Sequence, residues 1–79
     1  MKPEKIDMTL DARNLSCPLP VVKATKASQS MSDGQVLEIL ATDKGALKDI
    51  PAWCQARKNT LLHQEIDGNV YKFYVRKGN

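Results

Sequence analysis

Cys17-Pro18-Leu19-Pro20 is the run of this chain whose residue types and spacing could do chemistry. Proline is favoured at the first position of a helix, because its missing N–H had no intrahelical partner there. The residue before a proline is pushed out of the α region, so Cys17 reads as the extended N-cap of a helix that begins at Pro18. A sulfur in that place sits at the positive end of the helix dipole, which favours thiolate over thiol and can bring a cysteine from roughly 8.5 toward about 7. The chemistry this permits is nucleophilic thiol exchange, fastest when the attacking thiol has a pKa near ambient pH. The prolines also limit what the turn can hold. Pro18 and Pro20 offer no N–H, and that of Val21 is expected to bond back to the Cys17 carbonyl. Leu19 N–H is then the main donor left for the sulfur. A phosphate site needs several converging N–H groups, so this turn suits one soft anion docking dry against a partner. The plainer alternative, a buried structural thiol, is an odd role for a cysteine between Ser16 and two prolines.

The remaining reactive residues point to less. Cys54 falls on the apolar side of a second helix beside Trp53 and reads as a packed thiol, with Cys54→Ser expected to be nearly silent. A Cys17–Cys54 disulfide would need Cα atoms within about 7 Å, and nothing in the sequence calls for it. Two distant cysteines and His63 have no metal-ligand spacing, so no metal or other cofactor is expected. His63 alternates with Leu62 along a strand and reads as a rim or solvent-facing residue. Arg13 precedes Cys17, and Lys23 and Lys26 follow it by one to two helical turns. Such charges are commonly solvated surface, but these three could form a positive rim that steers acidic partners. Asp11 is expected to fix the strand–loop junction.

The elements that must position Cys17 follow from periodicity and turn residues. Met8 to Ala12 reads as a first strand and Arg13 to Ser16 as a loop, with Asn14 suited to a left-handed backbone. Pro18 to about Met31 carries Val21, Ala24, Ser28 and Met31 at helical spacing, and Ser32-Asp33-Gly34 ends that helix. Gln35 to Thr42 is the second strand. Asp43 is a plausible N-cap of a second helix running to about Asn59, with Leu47, Ile50 and Cys54 on its apolar side. Pro51 predicts a kink or break near Asp49–Ile50. Thr60 to Ile66 and Val70 to Arg76 flank Asp67-Gly68-Asn69, a hairpin signal. The order β-α-β-α-β-β predicts an α/β (α+β) two-layer sandwich, a four-stranded mixed sheet with both helices on one face.

Seventy-nine residues leave room for a single domain, 1–79, with one modest core and a flexible leader over 1–6. The composition is that of an ordinary globular protein, 42% hydrophobic and 27% charged. Its net charge of +3 is spread among interleaved acids and bases, which argues against a nucleic-acid patch. No apolar run approaches the roughly 18 residues of a membrane span. The charged start, Met1 to Met8, lacks the apolar core of a signal peptide. A cytoplasmic location, where thiols stay reduced, is the expectation. So is a monomer that associates transiently with other proteins.

Leu10-Asp11-Ala12-Arg13-Asn14-Leu15-Ser16-Cys17-Pro18-Leu19-Pro20 resembles the TusA (SirA-like) sulfur-carrier family, whose signature is Cys-Pro-x-Pro after the first strand. The likeness continues through Asp33-Gly34, Asp49-Ile50-Pro51 with Trp53-Cys54, and the closing hairpin with Asp67-Gly68 and Tyr74-Val75-Arg76-Lys77-Gly78. Asn14 stands where the family commonly has Gly, Leu19 where its tRNA-thiolation members often have Glu, and Ser16 where they often have Arg. The resemblance implies a βαβαββ fold and a persulfide carried on Cys17. It implies a cysteine desulfurase or rhodanese-like protein as donor and a downstream relay protein as acceptor, in tRNA thiolation or sulfur oxidation. The chain would be a sulfur relay rather than a conventional turnover enzyme. Two other readings use the same fold. One is an RNA-binding module, since the fold resembles the C-terminal domain of bacterial translation initiation factor three, although aromatic stacking residues on a basic face are lacking. The other is a regulatory interaction domain whose cysteine senses redox state.

Overall fold

The computed structural model of the chain describes residues 2–78. Strand β1 (Met8–Ala12), helix α1 (Leu19–Gln29), strand β2 (Val36–Ala41), helix α2 (Ala46–Ala56) and strands β3 (Thr60–Asp67) and β4 (Val70–Arg76) follow in the expected order. The strands form one mixed sheet in the order β1-β2-β4-β3, parallel between β1 and β2 and antiparallel elsewhere. The period-2 alternation of each strand divides the sheet into two faces. Met8, Leu10, Leu37, Ile39, Phe73, Val75 and Leu61 share the face on which the helices pack. Thr9, Glu38, Tyr74, His63 and Glu65 share the other.

Helix α1 seats Pro20 and Ala24 in the interior, with Ala27 half-buried and Met31 buried just beyond its end, a seam at i, i+4, i+7 and i+11. The periodicity had suggested Val21, Ala24, Ser28 and Met31. Val21 and Ser28 are half-buried flanks of that seam. Helix α2 contributes Ala46, Ile50, Trp53 and Cys54. It is shorter than expected at both ends. It begins at Ala46 with Gly45 as its cap, because the Asp43 side chain is engaged elsewhere. It stops at Ala56 because Lys58 turns left-handed (φ 60°), and Asn59 N–H then folds back onto the Cys54 carbonyl at 2.8 Å. Pro51 does not break it. The helix continues through that residue, which removes only the N–H that would have reached Leu47.

The hairpin closes on two residues, with Asp67 paired to Val70 and Gly68 at φ 63°, where glycine costs nothing. A bulge at Leu62 lets Leu61 face the core and His63 the opposite side. There His63 Nε2 lies 2.9 Å from Glu65 Oε1, and its ring is 5.7 Å from that of Tyr74. Within the stretch 1–6 expected as a leader, and at Asp7 just after it, the chain makes contacts with the same part of the molecule. Asp7 exchanges two hydrogen bonds with the Val36 backbone, at 2.9 and 2.8 Å, and Lys2 Nζ stands 5.4 Å over the Tyr74 ring.

Candidate functional site

The site follows from the parallel pairing of β1 with β2. Ala12 lies beside Ala41, so the chain leaves both strands at the same end of the sheet, and the two connections run side by side. They are stitched together. Asn14, left-handed at φ 66° as its type allows, donates its N–H to Thr42 Oγ1 at 2.9 Å. Cys17 N–H donates to Asp43 Oδ2 at 3.1 Å, and Cys17 Sγ donates to Asp49 Oδ2 at 2.7 Å. The sulfur therefore sits where the N-terminal ends of both helices converge. Gly45 makes the close approach possible, because a Cβ there would come within 2.9 Å of Asp43 Oδ2 and 3.4 Å of the Cys17 Cβ.

Four features differ from the sequence reading. Pro18, not Cys17, is the N-cap of α1. Leu19 N–H is not a stabiliser of the sulfur, because it donates to the Ser16 carbonyl at 2.8 Å. Val22, rather than Val21, makes the first helical return bond, to the Pro18 carbonyl. The Cys17 pKa is raised, not lowered as its place at a helix end predicts. The hydrogen bond to Asp49 pushes it up, with desolvation and the Asp49 and Asp43 charges acting in the same direction. The first-turn N–H groups of α2 are not free to donate to the sulfur, since those of Ala46, Leu47, Lys48 and Asp49 all meet backbone carbonyls.

Cys17 is exposed at one end of a groove of about 380 Å³, lined by Pro18 and Val21 of the first helix segment and by Asp49, Ala52, Trp53 and Ala56 of the second. The walls are almost wholly apolar and Asp49 is their charged residue. Trp53 is 6% exposed, and its Nε1 is a buried polar atom without a hydrogen-bond partner among the described residues. Pro20 is buried and anchors α1, whereas Leu19 is 44% and Val22 54% exposed. Leu19, Val22, Lys23 and Lys26 recur at helical spacing and form one outward apolar and basic strip.

Arg13 is committed locally. Its guanidinium grips the Asp11 carboxylate at 2.8 and 2.9 Å and its N–H donates to the same group, which holds Asp11 down to about 2. Asp11 thus fixes the strand–loop junction as expected. Cys54 is buried in the core at 3% exposure, and burial pushes its thiol up to about 11. Asp43 and Asp49 were not singled out as site residues from the sequence. The signal that could have found them is topological: residues just after two parallel neighbouring strands end up together.

Known proteins resemble this chain in sequence and in fold. A family model described as sulfurtransferase TusA matches residues 8–77. The chain is 45% identical over 74 residues to YrkI of Bacillus subtilis, covering 94% of this chain and 99% of that protein. It is 41% identical over 71 residues to the sulfur carrier protein TusA of Allochromatium vinosum, covering 90% and 93% of the two chains. Its fold matches the crystal structure of a SirA-like protein from Desulfitobacterium hafniense with a TM-score of 0.77, at 23% identity and over 91% and 99% of the two chains. On the family model over residues 8–77 and these relatives, the chain belongs to the TusA family.

Proposed function

We propose that the chain is a sulfur carrier that accepts sulfane sulfur on Cys17 as a persulfide and relays it to an acceptor protein, working in the cytoplasm as a monomer that meets its partners transiently. The observation that carries this reading is an exposed thiol at the mouth of an apolar groove. An exchange between sulfurs needs access for a second sulfur and exclusion of water around it. The loading step is R–S–S⁻ + Cys17–SH → R–SH + Cys17–S–S⁻. The Cys17 sulfur attacks the outer sulfur of the donor persulfide, the donor S–S bond breaks, and its electron pair and the Cys17 proton leave with the donor thiol. A cysteine desulfurase or a rhodanese-like protein suits the donor role. Relay proteins of tRNA thiolation or of sulfur oxidation suit the acceptor role. Leu19, Val22, Lys23 and Lys26 offer such partners an apolar surface with a basic edge next to the sulfur.

The test is incubation with cysteine desulfurase and cysteine, or with thiosulfate and rhodanese. The wild type should gain the mass of one sulfur atom. Cys17→Ser should gain none, should pass no labelled sulfur on, and should keep the wild-type circular dichroism spectrum. Labelled transfer by the Ser variant at the wild-type rate overturns the reading.

A further inference from the structure

We infer that Asp49 is a positioning residue for Cys17: it holds the sulfur and its proton in the unloaded carrier, and it biases the loaded carrier toward giving sulfur away. The inference rests on the persulfide reading above.

Three observations carry it. The first is contact, since the thiol donates to Asp49 Oδ2 at 2.7 Å. The second is that this carboxylate stands among apolar walls and forms no ion pair among the described residues, so its charge is neither cancelled by a neighbour nor fully screened by water. The third is that nothing positive among the described residues opposes it at the sulfur. From α2 the sulfur meets Asp49, and from the β2–α2 connection it meets Asp43, whose Oδ2 already takes the Cys17 N–H. The α1 side of the groove brings Pro18 and Val21, which carry no charge, and Arg13 in the preceding loop is clamped by Asp11. A full negative charge in contact outweighs a helix end worth about half a positive charge. The raised thiol pKa agrees with this geometry.

The consequence for transfer is directional. Loading replaces Cys17–SH, a donor to Asp49, with Cys17–S–S⁻, an anion beside an anion. Unloading is Cys17–S–S⁻ + R–SH → Cys17–SH + R–S–S⁻. The acceptor sulfur attacks the outer sulfur and the carrier S–S bond breaks. The electron pair returns to Cys17 Sγ, which takes the acceptor's proton and donates it again to Asp49. Asp49 thus disfavours the left side by repulsion and favours the right side by a hydrogen bond.

Asp49→Asn keeps the size and removes the charge. The thiolate titration of Cys17, followed by ultraviolet absorbance, should move to lower pH in Asp49→Asn and stay close to wild type in Asp49→Glu. Each unit of decrease raises the thiolate fraction tenfold below the midpoint. A less basic thiolate is also a weaker nucleophile, so alkylation by iodoacetamide at neutral pH should quicken about threefold per unit. A purely structural role would change the melting temperature and leave the midpoint in place, and a midpoint unchanged or higher in Asp49→Asn overturns the inference. In a second arm, both proteins are equilibrated with glutathione persulfide and glutathione. Asp49→Asn should hold more sulfur, and equal or lower occupancy overturns the directional part. If neither protein takes up sulfur while the midpoint still moves, the persulfide reading falls and the hold of Asp49 on the proton stands.

Discussion

The two thiols of this chain differ only in what surrounds them. Cys17 is exposed and bonded to a carboxylate, so its proton can be lost only against a neighbouring negative charge. Cys54 is packed with Ile50, Trp53 and Phe73, and burial alone keeps it neutral. The sequence places Cys54 correctly as a core thiol, but its near-complete burial changes what a substitution should do. A serine hydroxyl there finds no side-chain partner and swaps a weakly polar group for a strongly polar one, a loss of about 1–3 kcal/mol, less if it bonds back to the carbonyl one turn earlier. Cys54→Ser should therefore lower the denaturation midpoint while transferring labelled sulfur at the wild-type rate at temperatures where it is folded. Impaired transfer at unchanged stability would instead give Cys54 a part in the relay.

At the level of elements, Lys58 is where local preference and fold disagree. The end of α2 needs a left-handed residue so that Asn59 N–H can return to Cys54, and lysine is held there at φ 60°. A side chain in that region costs about 1–2 kcal/mol, part of which glycine gives back through its own chain entropy. Lys58→Gly should raise stability by about 0.5–1 kcal/mol, read as a higher urea midpoint at unchanged slope, and a lower midpoint would show that the lysine side chain contributes more than its backbone costs. The same disagreement explains what could be read from the sequence. Strand β1 was legible to the residue because Met8, Leu10 and Ala12 alternate and Asn14 marks the turn. The true end of α2 was hidden, since no Gly or Asn occupies position 58 to announce it. Cys17 was legible from its prolines as an exposed residue just before a helix. Its protonation was not, because Asp43 and Asp49 lie 26 and 32 residues further on and reach it only through the parallel pairing of β1 with β2.

For the molecule as a whole, the two faces of the sheet each hold a group whose ionisation the folded state disfavours. On the helical face it is the Cys54 thiol, pushed up to about 11 by burial. On the other face it is the Tyr74 phenol, which donates to Glu38 Oε2 at 2.8 Å while Thr9 donates to the other oxygen of the same carboxylate. Desolvation first, then that hydrogen bond and the Glu38 and Glu65 charges, drive the phenol pKa well above its usual value. Both groups have folded pKa values above their unfolded ones. Their stabilising effect is therefore complete below the unfolded values, near 9 for the thiol and 10 for the phenol, and is lost as pH rises beyond them. Thermal melts should show little change from pH 7 to 9 and a steep fall in midpoint from pH 9 to 11. A Cys54→Ala, Tyr74→Phe double variant is expected to start lower at pH 7, having lost the thiol's packing and the hydrogen bond to Glu38. It should nevertheless decline much less over the alkaline interval, because neither remaining side chain can ionise. Parallel alkaline declines in the two proteins would mean that other groups, the lysines foremost, control the high-pH limit of this fold.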